Sequence, residues 1–204
     1  KTGLRSRIWV KGQINDDWTY TGMLQNVQNL KNNAGDEKTD FQRAYVDGKI
    51  GGVAVQAGRS QLTLVDGNLY DTRADGIVAS YGKDVKVTGF YAKPTDQVKA
   101  LNSTVELEYD NVYGAKVDAK FGVVAATAGY TVFKDGTFTD GAFSEKWDDN
   151  KIWNVGVAFD LAKDLNLTAN YMDSDQEIYG DDDAFVIGLS YAGAKAAKEG
   201  SFGV

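Results

Sequence analysis

The residue types that could do chemistry in this 204-residue chain are carboxylates and cations that alternate with uncharged residues. Glu106 and Glu108 lie two positions apart, so in an extended segment they would share a face at a separation of about 7 Å. Two carboxylates at such a distance can act as general acid and general base. The sequence provides no third partner and no pocket signal for them, so we interpret the pair as part of a solvated wall.

Two absent residue types exclude most other catalytic chemistry. The chain contains no His and no Cys, which removes Ser-His-Asp and Cys-His catalysis, His-based zinc sites, thiolate metal sites and disulfides. Proteases and phospholipases built on membrane barrels also rely on a His. We therefore expect no enzyme and no cofactor, and the net charge of −7 provides no basic surface for nucleic acid.

An acidic segment over 173–183 is the remaining candidate for a metal site. Its carboxylates are Asp173, Asp175, Glu177, Asp181, Asp182 and Asp183. Carboxylate oxygens are the ligands that Ca²⁺ prefers, but their spacing departs from that of an EF-hand loop. We favour a solvated surface loop, expect no metal, and leave calcium binding as the alternative.

The segment Thr104–Phe121 shows which element positions these charges. Its odd positions carry no charge, and its even positions carry six charges. Alternation with a period of two places the two sets on opposite faces of one strand. Eighteen residues would span roughly 60 Å, far beyond the mean strand of about 5–6 residues. A tilted strand that crosses a bilayer needs about 9–11 residues, so this segment is long enough to cross and project beyond it.

The same alternation recurs along the chain and predicts about twelve strands and no helix. We expect strands over 4–14, 18–28, 41–50, 53–64, 76–81, 85–93, 104–121, 125–133, 152–161, 165–172 and 184–191, with a strand cut short at 201–204. Short connections near 15, 51, 83, 122 and 162 alternate with longer ones near 30, 65, 94, 134 and 173. All short turns would then lie at one end of an antiparallel up-and-down sheet, in a single domain over 1–204.

Aromatic residues help to decide which face meets lipid. The mean hydropathy is −0.37 and no apolar run reaches the length of a membrane helix, but a barrel hides its apolar surface in alternate positions. Trp18 and Phe121 lie beside short turns, whereas Tyr109, Trp153 and Tyr171 lie beside long connections. Two levels of aromatics are typical of interfacial girdles. The pattern therefore predicts an all-β, antiparallel transmembrane β-barrel; a soluble all-β binding module is the alternative.

The charged face supplies the candidate functional residues, which we expect to line a water-filled pore. They are Arg5, Arg7, Lys11, Arg43, Asp47, Lys49, Arg59, Lys86, Glu106, Glu108, Lys116, Asp118 and Lys120. Parity alone puts Arg59 on the apolar face, and a bulge at Gly58 is expected to re-aim it. Such charges either bias which solutes pass, or form an ion-paired wall without a role in selectivity.

Three stretches carry a resemblance to a known family. They are TDFQRAYVDGKIGGVAVQAGR (Thr39–Arg59), LVDGNLYDTRADGIVASY (Leu64–Tyr81) and VTGFYAKP (Val87–Pro94). These resemble the barrel of the OmpM-type porins, outer-membrane proteins of Gram-negative Firmicutes that carry an S-layer-homology domain. The resemblance implies a trimeric diffusion porin of about sixteen strands, and a lumenal role for Arg43 and Arg59. It also implies a separate domain that tethers the membrane to peptidoglycan.

The chain departs from that family pattern in two respects. It has no S-layer-homology domain, and Ser201–Val204 lacks the terminal aromatic strand of such barrels. We therefore expect a barrel segment that is incomplete at one or both ends, with contact to peptidoglycan only through a domain absent from this chain.

Together these features predict a porin of the bacterial outer membrane through which small hydrophilic solutes diffuse passively. Its expected partners are outer-membrane lipid and lipopolysaccharide, the solutes themselves, and two further copies in a homotrimer; nucleic acid is not expected. One alternative is a structural outer-membrane protein that anchors the envelope and conducts little. The other is the soluble all-β binding module.

Overall fold

A computed structural model of the chain describes residues 3–31, 37–95, 98–99, 105–178, 181–194 and 201–204. Apart from a 3₁₀ turn at Val65–Gly67, the regular elements of these residues are strands. The strands are β1 (Gly3–Gln13), β2 (Trp18–Asn29), β3 (Glu37–Ile50), β4 (Val53–Leu64), β5 (Tyr70–Gly82), β6 (Val85–Pro94), β7 (Val98–Lys99), β8 (Val105–Phe121), β9 (Val124–Asp140), β10 (Phe143–Trp147), β11 (Asn150–Ala162), β12 (Leu165–Ile178), β13 (Asp181–Tyr191) and β14 (Phe202–Gly203). Among the described residues, none belongs to a helix long and apolar enough to cross a membrane.

The strands follow one another in the sheet in chain order, with β7 added to β8 and β10 added to β9. Consecutive strands pair antiparallel, as in the ladders β1–β2, β2–β3 and β8–β9. The all-β, up-and-down architecture predicted from the alternation is therefore confirmed. The chain divides into two compact units, one of Lys1–Ala79 with Tyr91–Asp96, the other of Ser80–Phe90 with Gln97–Val204.

Two local irregularities shape the first unit. The β2–β3 register shifts by one residue between Met23 and Leu24, which leaves Gln42 as the extra residue of a bulge in β3. In β4, Gly58 has a φ of 118°, a conformation that L-residues rarely adopt. The sequence predicted a bulge at Gly58; the backbone there is irregular, but the β3–β4 ladder continues through Gly58 without a register shift and ends at the pair Ala44 and Arg59.

Several segments that the sequence suggests as loops are strands. β9 continues past Phe133 to Asp140 and pairs there with β10, and β12 continues to Ile178. The prediction of a loop over 65–75 was also wrong from Tyr70 onward, where β5 begins. The apolar alternation stops in these segments, but backbone hydrogen bonds do not require apolar side chains. The strands therefore extend as polar hairpin arms beyond their apolar portions.

The two faces of the second unit differ in exposure. The face that we call the apolar face exposes large side chains, among them Val117, Trp153, Val155, Phe185 and Ile187. The opposite face, here called the charged face, carries the charges of β8. It also buries apolar side chains, which are Phe90, Val112, Phe133, Ile152 and Met172. The charged face is therefore less polar than the alternation of β8 indicates.

Candidate pore-lining surface

The charged face of β1 presents a row of basic residues. Arg5, Arg7 and Lys11 alternate with uncharged residues, and all three side chains are exposed. Arg7 donates from Nε to Gln25 Oε1 at 2.7 Å. Lys11 Nζ lies 6.0 Å from the ring centroid of Trp9, which occupies the remaining position of the row. These predicted residues therefore form one row of cationic groups, which Trp9 interrupts.

A network of arginines and aspartates connects β3, β4 and β5 of the first unit. Arg59 makes a bidentate pair with Asp75, with Nε to Oδ1 and Nη2 to Oδ2 both at 2.7 Å. Asp40 lies 3.9 Å from Arg59 and 3.6 Å from Arg73. The Arg73 side chain is only 15% exposed, so little water reaches its charge, and the Asp40 carboxylate compensates that charge instead. The network therefore holds Arg59 in place and neutralises it.

Arg43 is held by two oxygen acceptors, one on a side chain and one on the backbone. Its Nη2 donates to Gln61 Oε1, and its Nη1 donates to the carbonyl of Gln42 at 2.7 Å. Gln61 in turn donates to Asp71 at 2.8 Å, and Thr63 donates to the same oxygen at 2.9 Å. The structure thus brings Arg43 and Arg59 into one region.

Two further predicted residues lie on β3, toward the short turn that follows it. Asp47 accepts a hydrogen bond from Gln56 Nε2 at 2.8 Å. Lys49 is exposed and pairs in register with Ala54. Neither residue contributes to the network around Arg59 through a contact seen in the described residues.

Sequence reasoning missed three charged residues around Arg43 and Arg59. Asp71, Arg73 and Asp75 fall in the segment that we expected to be a loop, although they alternate with uncharged residues as a strand would. That alternation was the signal that could have found them. In β5 these three residues occupy the same alternate positions as Ile77 and Tyr81, whose side chains are exposed.

The second unit pairs its charges within the sheet. Lys116 Nζ lies 3.2 Å from Asp118 Oδ2, and Lys86 Nζ of β6 lies 3.9 Å from the same oxygen. Lys120 is exposed, and its backbone N–H donates to the carbonyl of Asp84 at 2.9 Å. The predicted residues Lys86, Lys116 and Asp118 therefore form one cluster, in which a single carboxylate serves two ammonium groups.

Glu106 and Glu108 lie where β8 begins, with Thr139 and Thr137 of β9 opposite them in register. Glu108 is exposed and Glu106 half-buried. Within the described ranges, no three His, Cys, Asp or Glu side chains are grouped so that they could hold a metal ion. The acidic segment extends over described residues 173–178 and 181–183, where Asp173 and Asp183 lie directly opposite each other.

Glycines let neighbouring side chains pack flat on the charged face. Asn154 lies over Gly129 and Asn170 lies over Gly156, because a Cβ at either glycine would collide with the amide oxygen of its neighbour. Both asparagines are less than 9% exposed. This part of the face is therefore a packed wall of amides over glycines.

Aromatic and charged residues order the polar arms. The rings of Trp153 and Tyr171 are 5.3 Å apart, and both donate to the Asp173 carboxylate, at 2.9 and 3.4 Å. Beyond them, the backbone N–H of Lys151 donates to Asp175 Oδ1 at 2.7 Å, and Lys151 Nζ lies 3.1 Å from Asp175 Oδ2. These two contacts lower the pKa of the Asp175 carboxyl. The arm is therefore tied to β11 by charge.

Comparison with known proteins gives one family. The sequence profile of a family described as Gram-negative porin matches residues 6–198. No curated protein matches the chain in sequence.

Solved structures resemble the fold. A loop L8 deletion mutant of OmpT, an outer membrane protein of Vibrio cholerae, is similar with a TM-score of 0.56 and 19% identity over 96% of this chain and 69% of that one. At this identity the likeness shows the fold alone. The Salmonella typhi OmpF complex with daunomycin is 12% identical over 93% of this chain and 78% of that one, with a TM-score of 0.46.

Proposed function

Because this chain belongs to the Gram-negative porin family and is a protein of the bacterial outer membrane, we propose that it forms a water-filled channel for the passive diffusion of small hydrophilic solutes. Family membership indicates a channel rather than an enzyme. The chemistry proposed for the site is accordingly electrostatic: fixed charges on the charged face set the potential that a solute meets.

The observation that carries the proposal is the difference between the two faces of the sheet. Large apolar side chains such as Val155 and Ile187 stand exposed on one face, as contact with hydrocarbon requires. The other face carries Lys86, Lys116 and Asp118, which need water or a counter-charge. In the proposal, the charged face is the lumen, and Trp153 and Tyr171 mark the level where lipid ends on the side of the polar arms.

Finer features of the proposal come from the resemblance to OmpM-type porins. A homotrimer in contact with lipid and lipopolysaccharide is the assembly that it implies. Chemical cross-linking of the detergent-purified protein tests the trimer, since a ladder that stops at three copies is expected.

Conductance in planar bilayers tests the channel itself. Purified protein should produce stable stepwise increases in current, and liposomes that contain it should swell in small sugars faster than in larger ones. The matched control is the same preparation after heat denaturation. Intact, membrane-inserted protein without current steps would refute the proposal.

One observation favours the alternative of an envelope protein that conducts little. Phe90, Val112 and Met172 are buried on the charged face, and apolar groups there reduce the area available to water. Under this alternative, inserted protein would give no swelling with the smallest sugars, so the same experiment separates the two functions.

A further inference from the structure

The cations among the candidate residues fall into two groups. In one group, carboxylates compensate the charge: Arg59 pairs with Asp75, and Lys116 pairs with Asp118. The other group is the β1 basic row, which we define as Arg5, Arg7 and Lys11. In the described part of the chain, no carboxylate lies within 4.0 Å of these three side chains. Their charge is therefore available to a ligand.

The strand spaces these charges regularly. Arg5 and Arg7 are two residues apart on one face, or about 7 Å, and the row to Lys11 extends over about 20 Å. Their register partners on β2 are Val27, Gln25 and Thr21, none of which is charged. The neighbouring strand thus provides hydrogen-bonding and apolar groups without a counter-charge, and the positive potentials of the three cations add.

Arg7 is also oriented. The bond from its Nε to Gln25 Oε1, at 2.7 Å, fixes the guanidinium group through one nitrogen. Both terminal nitrogens remain for a ligand, and two parallel N–H donors match the geometry of a carboxylate or phosphate. A lysine at this position would provide the charge without the two parallel donors of the guanidinium group, here called its fork.

We propose that the β1 basic row is a binding track for small oxyanions of the phosphate and carboxylate class, and that it makes the channel prefer anions although the chain carries a net charge of −7. The inference rests on the proposed porin function and names its solute class. An oxyanion would exchange contacts between Arg5 and Arg7 over about 7 Å, and would pass Trp9 to reach Lys11 about 14 Å further along β1.

Reversal potentials across a KCl gradient test the preference for anions. The wild-type channel should be more permeable to chloride than to potassium. The variant Arg5→Gln/Arg7→Gln should lower this permeability ratio at least about threefold, because each charge acts at roughly 7 Å through water. The control Lys83→Gln/Lys163→Gln removes the same charge at two short turns and should change the ratio much less.

Block of the chloride current by inorganic phosphate tests binding. Arg7→Gln should raise the half-blocking phosphate concentration by about tenfold, the usual loss for one charge-assisted hydrogen bond. Arg7→Lys should keep most of the anion preference but bind phosphate more weakly than wild type, because the fork is lost. Both substitutions are on an exposed strand, and the heat-modified gel mobility of each variant checks that it folds.

The outcomes separate this inference from the proposed function. Inserted protein without any current overturns the channel proposal. Open channels that prefer cations, or whose selectivity and phosphate block are unchanged in the Arg5→Gln/Arg7→Gln variant, overturn the oxyanion track and leave the channel standing. A decrease in selectivity that is equal in the turn-lysine control also overturns it, since the effect would then reflect net charge alone.

Discussion

Gly114 on β8 offers the most direct test of how the second unit packs. A Cβ at this position would lie 2.8 Å from Phe90 Cζ and 3.0 Å from Thr131 Cα, and closer still to the carbonyl oxygen of Tyr130. Gly114 and Thr131 are register partners in the β8–β9 ladder. The substitution Gly114→Ala therefore presses directly on the backbone of the neighbouring strand.

The cost follows from these contacts. A normal C···O approach is about 3.3 Å, so the backbone of β9 would have to move by roughly an ångström, enough to stretch a ladder hydrogen bond beyond its usual range. Overpacking costs about 1–3 kcal/mol, and one weakened hydrogen bond adds about 1 kcal/mol. Alanine has a smaller conformational entropy than glycine in the unfolded chain, which stabilises the folded variant by about 0.5–1 kcal/mol. We expect a net loss of about 2–3 kcal/mol.

Gly89→Ala is the matched control. Gly89 lies on the adjacent strand β6, and a Cβ there would meet nothing nearer than the carbonyl oxygen of Gly114 at 4.0 Å. This variant should keep or slightly raise stability, because only the entropic term applies. Urea unfolding in detergent micelles, followed by far-UV circular dichroism, measures both variants. If the two variants have the same free energy of unfolding, β8 and β9 do not approach as closely at Gly114 as the structure shows.

Three further substitutions test other contacts. Asp118→Asn removes the carboxylate that compensates Lys86 and Lys116. The chloride-to-potassium permeability ratio should then rise roughly threefold, the effect of one unit of charge on an ion that passes at about 7 Å through water. An unchanged reversal potential would contradict the cluster. Gly48→Ala should displace the Trp18 ring, which lies against this glycine, and lower stability by about 1–3 kcal/mol, with loss of near-UV circular dichroism. Asp175 lies beyond the aromatic level and has a lowered pKa, so its contribution is full above the ordinary carboxyl pKa of about 3.9 and is lost as the pH falls through the lower folded value. Hydrogen exchange of the Lys151 amide should therefore lose protection in that acidic range in the wild type, and at every pH in Asp175→Ala, which removes the acceptor.

Element type was predictable where one face is uniformly apolar. The long strand was expected over 104–121 and is found at Val105–Phe121, because its uncharged and charged positions alternate without interruption. The region after Phe133 was not predictable from this signal. Lys134-Asp135-Gly136 resembles a turn, and Asp135 indeed has a φ of 54°, yet β9 continues through it and turns only at Gly141. The rings of Phe138 and Trp147, 5.7 Å apart, help to hold the arm together.

The candidate residues were predictable as rows along single strands but not as pairs between strands. Alternation places Lys116 and Asp118 on one face, whereas the approach of Lys86 depends on how β6 and β8 lie side by side. The pair of Arg59 and Asp75 depends on the irregularity at Gly58 and on β5, whose first residues the sequence predicted to be a loop. Register is a tertiary property, since a one-residue slip exchanges the two faces, and no local pattern determines it between distant segments.

Packing against glycines and exposure to solvent predict which positions should respond differently to mutation. The sequence contains 23 glycines, and turn chemistry accounts for positions such as Gly51 and Gly122, where φ is positive. Gly129 and Gly156 instead lie within strands, where the missing Cβ makes room for an asparagine side chain of the next strand. Substitution there should lower stability, because a buried amide must move. Substitution of the exposed β1 basic row should alter selectivity with little effect on stability, because its side chains pack against almost nothing. The packed asparagine wall of the second unit and the β1 basic row of the first unit are therefore separable by experiment.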